Sequence, residues 1–208
     1  MLNVVRDGAV LRLTLNRPEV KNALNSELIA AMTAEFRRVD SEVRIVILRG
    51  AEGTFCAGAD LAMMRAASGN SYDENVADAM RLADLFEAIE NYPALVVVAV
   101  EGPCFGGGGG LMAAADLALV SEDVKISFSE VRLGLIPATI SPYVIRKIGS
   151  GHARALFMTG DSFGADRALQ IGLAHVKVPI GAMDGEIESR VKAQLTVAPG
   201  AARNAKRL

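Results

Sequence analysis

The chain has 208 residues, with 22 Lys and Arg against 24 Asp and Glu and a formal net charge of −2. Hydrophobic residues make up 51% and charged residues 22%, which excludes a disordered chain. The balanced charge gives no basis for a nucleic-acid partner or an anionic membrane surface. The length suits one domain. Met1 to Asp7 place charges before any apolar run, and the longest purely apolar stretch, Ala94 to Val100, is far short of the ~20 residues of a membrane span. Cys56 and Cys104 form no C-x-x-C pattern, and the two histidines, His152 and His175, are isolated. Neither a disulfide framework nor a metal site is expected, and the setting expected is reducing and cytoplasmic.

Taken in chain order, Ala9 to Leu15 alternate apolar and polar residues as a half-buried strand does, and Asn16-Arg17-Pro18 ends it. Asn25 or Ser26 can cap a helix whose Leu28, Ile29, Met32 and Phe36 recur at helical spacing. Arg44 to Leu48 read as a buried strand closed by Gly50 and Gly53. Ser71 to Asn91 carry an amphipathic pattern of about six helical turns, stopped by Pro93. Leu95 to Val100 are the strongest strand signal. A helix of small residues follows five consecutive glycines, Gly106 to Gly110, and Leu117 to Val120 read as another strand. Continuously apolar strands alternating with helices predict an α/β fold with covered sheets. Without repeats or linkers, residues 1–186 read as the core domain and 187–208 as the start of a C-terminal helical segment.

Three segments could carry chemistry. The glycine run sits between a strand and a helix, where free N–H groups and the positive end of the helix dipole favour an anion or oxyanion. It is not a phosphate loop, since no Lys and Ser/Thr follow at the required spacing, and Leu111 stands where a dinucleotide motif would place its last glycine. A helix packed very closely on its neighbour explains the run equally well. Phe55 to Leu61 could bring backbone N–H groups beside a ligand, or simply end in Asp60 as a helix cap. In Phe128 to Pro137, Glu130 lies among apolar residues; burial would raise its pKa and suit it to acid–base work, whereas pairing with Arg132 or Arg146 would make it a surface group.

In this order, Asn16-Arg17-Pro18 with Asn22-Ala-Leu-Asn25, Cys56 to Leu61, the glycine run, Ala115-Asp116, Glu130 to Pro137 and Leu156 to Gly160 resemble the crotonase superfamily (enoyl-CoA hydratase/isomerase). The resemblance spans nearly the whole chain. It implies a spiral of β-β-α units with two roughly perpendicular sheets, and an acyl-coenzyme A thioester as ligand, with no separate cofactor. It further implies an oxyanion hole from the Ala59 and Gly107 N–H groups, Glu130 as the catalytic acid–base, and a homotrimer or dimer of trimers. Substrate contacts carried over are Ala57, Asp60, Leu61, Gly106, Gly110 and Pro137, with Arg17 and Lys21 near the coenzyme A phosphates. Family hydratases commonly have a second glutamate where this chain has Gly110. Hydration through Glu130 alone is therefore expected, with double-bond isomerisation and non-catalytic acyl-CoA binding as alternatives. The stretch Ser129 to Tyr143 is similar to methylglutaconyl-CoA-type hydratases, which implies a branched or carboxylated acyl chain. Relatives continue further at the C-terminus, so the helical segment reads as truncated.

Overall fold

A computed structural model describes residues 1–208. Its larger sheet has the order β1 (Leu2–Asp7), β2 (Val10–Leu15), β3 (Ile45–Gly50), β4 (Leu95–Val100), β6 (Leu117–Ser121) and β9 (Val176–Val178). β1 and β2 are antiparallel, and the later pairings in that sheet are parallel. A smaller sheet has the order β5 (Pro103–Phe105), β7 (Lys125–Ser127) and β8 (Ser162–Phe163). The helices are α1 (Ser26–Arg37), α2 (Leu61–Ala66), α3 (Tyr72–Glu90), α4 (Gly107–Ala114), α5 (Ser141–Thr159), α6 (Ala165–Gln170), α7 (Met183–Thr196) and α8 (Pro199–Ala205).

The chain moves between the sheets in repeating units. β4 lies in the large sheet, β5 in the small one, and α4 follows; β6, β7 and α5 repeat this order. β3 begins a similar unit in which the small-sheet element is reduced to one bridge, Cys56 beside Cys104, before α2 and α3. This is the α/β fold that the strand and helix pattern predicts, in the two-sheet spiral that the family resemblance implies.

The continuously apolar strands cover both faces of the large sheet. Val46 and Leu48 of β3 and Val96, Val98 and Val100 of β4 face a core of 42 buried residues that includes Leu28, Met32 and Phe36 of α1 and Leu85, Phe86 and Ile89 of α3. The intervening Ile45, Ile47, Val97 and Ala99 face a second cluster with Met183, Ile187 and Val191 of α7. Period-two alternation thus feeds two cores, which is why no polar face shows in the sequence. Asn25 caps α1, its side chain accepting from the Leu28 N–H at 2.9 Å. Ser71 and Glu74 form a capping box at α3.

Two features differ from expectation. Strand β1 carries no buried residue; it is held by the hairpin pairing to β2 rather than by an apolar face, so no periodicity announces it. The boundary expected at 186/187 falls inside α7, which begins at Met183 and packs as one element on the large sheet.

Candidate active site

The glycine run reaches a different neighbour with each residue. A Cβ on Gly106 would stand 3.2 Å from Glu130 Oε1, and one on Gly107 2.9 Å from Leu24 Cδ1. On Gly108 it would stand 2.8 Å from the Cys56 carbonyl oxygen, and on Gly109 2.7 Å from Phe128 Cε1. On Gly110 it would stand 2.5 Å from Ile140 Cγ2 and 2.7 Å from Phe86 Cζ. The start of α4 is therefore closely enclosed, and at Gly108 a side chain would meet backbone. Gly106 adds a conformational demand, φ 48 and ψ −113, that L-residues rarely meet.

The small sheet stitches the loops around this helix start. Phe105 N–H donates to the Cys56 carbonyl at 2.9 Å, Cys56 N–H to Pro103 at 3.1 Å, and Gly106 N–H to Ser127 at 2.9 Å. Segment 57–60 is brought alongside the turn into α4. The N–H groups of Ala59 and Gly107 donate to no backbone or side-chain acceptor; Gly107 opens α4, where no intrahelical acceptor exists. Both residues line a cavity of about 660 Å³.

Glu130 opens a 3-10 turn over residues 130–133, closed by Gly134 at φ 72. The turn is anchored from below: Arg132 Nε and Ser127 Oγ both donate to the Gly160 carbonyl, at 2.9 and 3.0 Å. Glu130 reaches the cavity wall unpaired, with Oε2 buried and without a partner. Arg132 is occupied by Gly160 and Asp161, and Arg146 by Glu90, so neither neutralises Glu130. Burial pushes its carboxyl above the ordinary range, opposed only by its own backbone N–H.

Of the other carboxylates on the wall, Glu19 is exposed and Asp60 is committed. Asp60 accepts from Arg17 Nη2 at 2.8 Å, and its second oxygen caps α2 through the Ala62 and Met63 N–H groups. The hydrogen bond from Arg17 is the main cause that holds its pKa below the usual value.

The cavity wall brings together Lys21, Ala57, Ala59, Asp60, Leu61, Gly106, Gly107, Glu130 and Pro137. Gly110 does not belong there: Phe86 and Ile140, 0% and 1% exposed, close over it. The guanidinium of Arg17, expected near the coenzyme A phosphates, donates to Asp60 and to the Ala23 carbonyl. Sequence reasoning did not find the apolar lining, which includes Leu24, Met64, Leu82, Leu135 and Ile140. The only signal was the apolar run around Gly134 to Pro137, where Leu133, Leu135 and Ile136 are 55%, 48% and 76% exposed at the rim.

The family model for enoyl-CoA hydratase/isomerase matches residues 6–207. Enoyl-CoA hydratase EchA19 of Mycobacterium tuberculosis is 34% identical over 182 residues, 86% of this chain and 68% of that one. The structure of AtuE from Pseudomonas aeruginosa superposes with a TM-score of 0.96 at 34% identity, covering 99% of this chain and 81% of that one. A Thermobifida fusca protein solved in complex with acetoacetyl-CoA gives a TM-score of 0.91 at 26% identity, covering 99% and 84%. With the match to the family model running almost end to end, the chain belongs to the enoyl-CoA hydratase/isomerase family.

Proposed function

We propose that this protein adds water across the double bond of a 2-enoyl-CoA thioester, with Glu130 as the only acid–base group. The observation that carries this reading is a buried, unpartnered carboxylate on the same cavity wall as two free backbone N–H groups. The thioester oxygen sits between the Ala59 and Gly107 N–H groups. Glu130 takes a proton from water as its oxygen bonds to C3, and the π electrons move onto the thioester as an enolate. The two N–H groups hold that oxyanion, and the start of α4 adds its dipole. Glu130 then returns the proton to C2, so one water is consumed and the carboxylate is restored. A carboxyl with a raised pKa suits both halves of this cycle. The chemistry draws on no group beyond the thioester and water.

The acyl chain proposed is apolar, straight or branched. Leu24, Ile29, Leu82 and Ile140 line the cavity, and its one cation, Lys21, is exposed at the rim. A carboxylate carried into such a space would lose its hydration without a partner. Lys21 makes no ion pair and is proposed to meet a phosphate of coenzyme A. The two free cysteines agree with a reducing, cytoplasmic setting. Assembly as a trimer or a dimer of trimers rests on the family resemblance and is tested by sedimentation.

The second reading is double-bond isomerisation, favoured by the presence of a single buried, uncommitted carboxylate at the site, since moving a proton between two carbons needs one base. Turnover of a 2-enoyl-CoA in ¹⁸O-labelled water separates the two. Hydration places the label on C3 of a 3-hydroxyacyl product, whereas isomerisation gives an unlabelled 3-enoyl product.

A further inference from the structure

The segment carrying the Ala59 N–H is gripped from its other side by a buried polar cluster that the chemistry above leaves unused. Asn22 is 0% exposed and left-handed at φ 55. Its amide donates to the Ala51 and Thr54 carbonyls at 3.0 and 2.6 Å, and its Oδ1 accepts from the Arg17 N–H at 2.8 Å. The guanidinium of Arg17 then forks, Nη1 to the Ala23 carbonyl at 2.6 Å and Nη2 to Asp60 Oδ2 at 2.8 Å. The paired side chains of Arg17 and Asp60 are 14% and 10% exposed.

Backbone bonds complete the grip. Ala57 N–H donates to the Lys21 carbonyl at 3.0 Å, Leu24 N–H to Gly58 at 2.7 Å, and Asp60 N–H to Leu24 at 2.9 Å. Leu24 and Ala59 thereby form a parallel bridge in which residue 24 uses its own N–H and carbonyl. The bridged residue on the other strand turns its N–H away from its partner, so the Ala59 N–H is directed to the far side of the segment. A buried ion pair is weak evidence for stability, because desolvation offsets most of the attraction. Here the pair and Asn22 instead fix the register and tilt of residues 57–60 against 21–24.

We propose that Arg17 and Asn22 are positioning residues: acting through Asp60 and Leu24, they aim the Ala59 N–H at the thioester oxygen. This rests on the oxyanion assignment made above. Arg17 then governs how strongly the carbonyl is polarised, not how tightly coenzyme A is held.

Butyryl-CoA labelled with ¹³C at the carbonyl cannot be hydrated, so its infrared carbonyl stretch in the complex reads polarisation without turnover. The wild-type complex should show a lowered stretch relative to the free thioester. In Arg17→Met that lowering should shrink by about half or more, with Kd within about threefold, and kcat on a 2-enoyl-CoA should fall at least ~10-fold at nearly constant KM, as expected for a displaced donor. Arg17→Lys, which can reach one of the two acceptors, should recover part of the shift. Asp60→Asn keeps the α2 cap through its remaining oxygen while denying Arg17 its acceptor, and should reproduce the Arg17→Met signature if the latter folds poorly. An unchanged stretch with Kd raised ~10-fold or more would place Arg17 on coenzyme A instead and overturn the proposal. Absence of any lowering in the wild type would remove the oxyanion assignment, and the proposal with it.

Discussion

Phe86 occupies the space that a side chain at residue 110 would need: its Cζ lies 2.7 Å from where a Cβ on Gly110 would stand. Together with Ile140, whose Cγ2 would lie 2.5 Å from the same Cβ, it closes over α4 at this position. A side chain at 110 would collide with Phe86 and with Ile140, and Ile140 is itself part of the cavity lining. The missing second glutamate is thus matched by a filled core, which leaves Glu130 as the buried carboxylate available to the proposed chemistry.

Gly110→Ala should therefore behave as an overpacking substitution, costing about 1–3 kcal/mol in denaturant unfolding. Combining it with Phe86→Leu, which removes part of the ring, should recover about half of that loss relative to the additive expectation. Stability of Gly110→Ala within ~0.5 kcal/mol of wild type would show that the face is open.

The pH dependence of kcat/KM should rise with pH through one ionisation lying above about 4.3, the ordinary Glu value, because burial raises the Glu130 pKa and the base form must be present to accept the proton from water. The same shift has a stability consequence. The native state keeps its proton to higher pH than the unfolded chain, so stability falls as pH rises from the unfolded Glu pKa through the folded one, then levels. Glu130→Gln removes this slope. Its melting temperature should match wild type in acid and exceed it at neutral pH; a neutral-pH loss would mean that the carboxylate has a native partner.

Comparison of two thioesters of equal length, one ending in methyl and one in carboxylate, tests the cavity lining. The apolar chain should be turned over with kcat/KM at least ~10-fold higher, given an unpaired carboxylate's desolvation. Equal or reversed preference would require a cation inside the cavity other than the exposed Lys21.

The sequence exposed the elements whose signals are local. The alternation in 9–15, the apolar runs at 44–48 and 95–100, the Asn25 cap and the amphipathic pattern over 71–91 each predict what is found. Strands β5, β7 and β8 have at most three residues and exist through pairing with one another, so no periodicity could mark them. At the site, Glu130 was visible as a lone carboxylate in apolar surroundings, whereas Ala59 and Gly107 offer only backbone and were reached through the family resemblance. The partner of Arg17 lies 43 residues away, and Phe86 and Ile140 approach Gly110 from two other helical regions, so neither contact shows in the local sequence. Such relationships are tertiary, and composition and spacing do not encode them legibly.

The most direct test of Glu130 as the sole acid–base group is the rate at which Glu130→Gln consumes a 2-enoyl-CoA, followed by loss of the conjugated thioester absorbance, with thioester affinity measured on the same preparation. The expected result is a fall in kcat of at least ~10²-fold with affinity nearly unchanged. Turnover within a few-fold of wild type in that variant would contradict the mechanism.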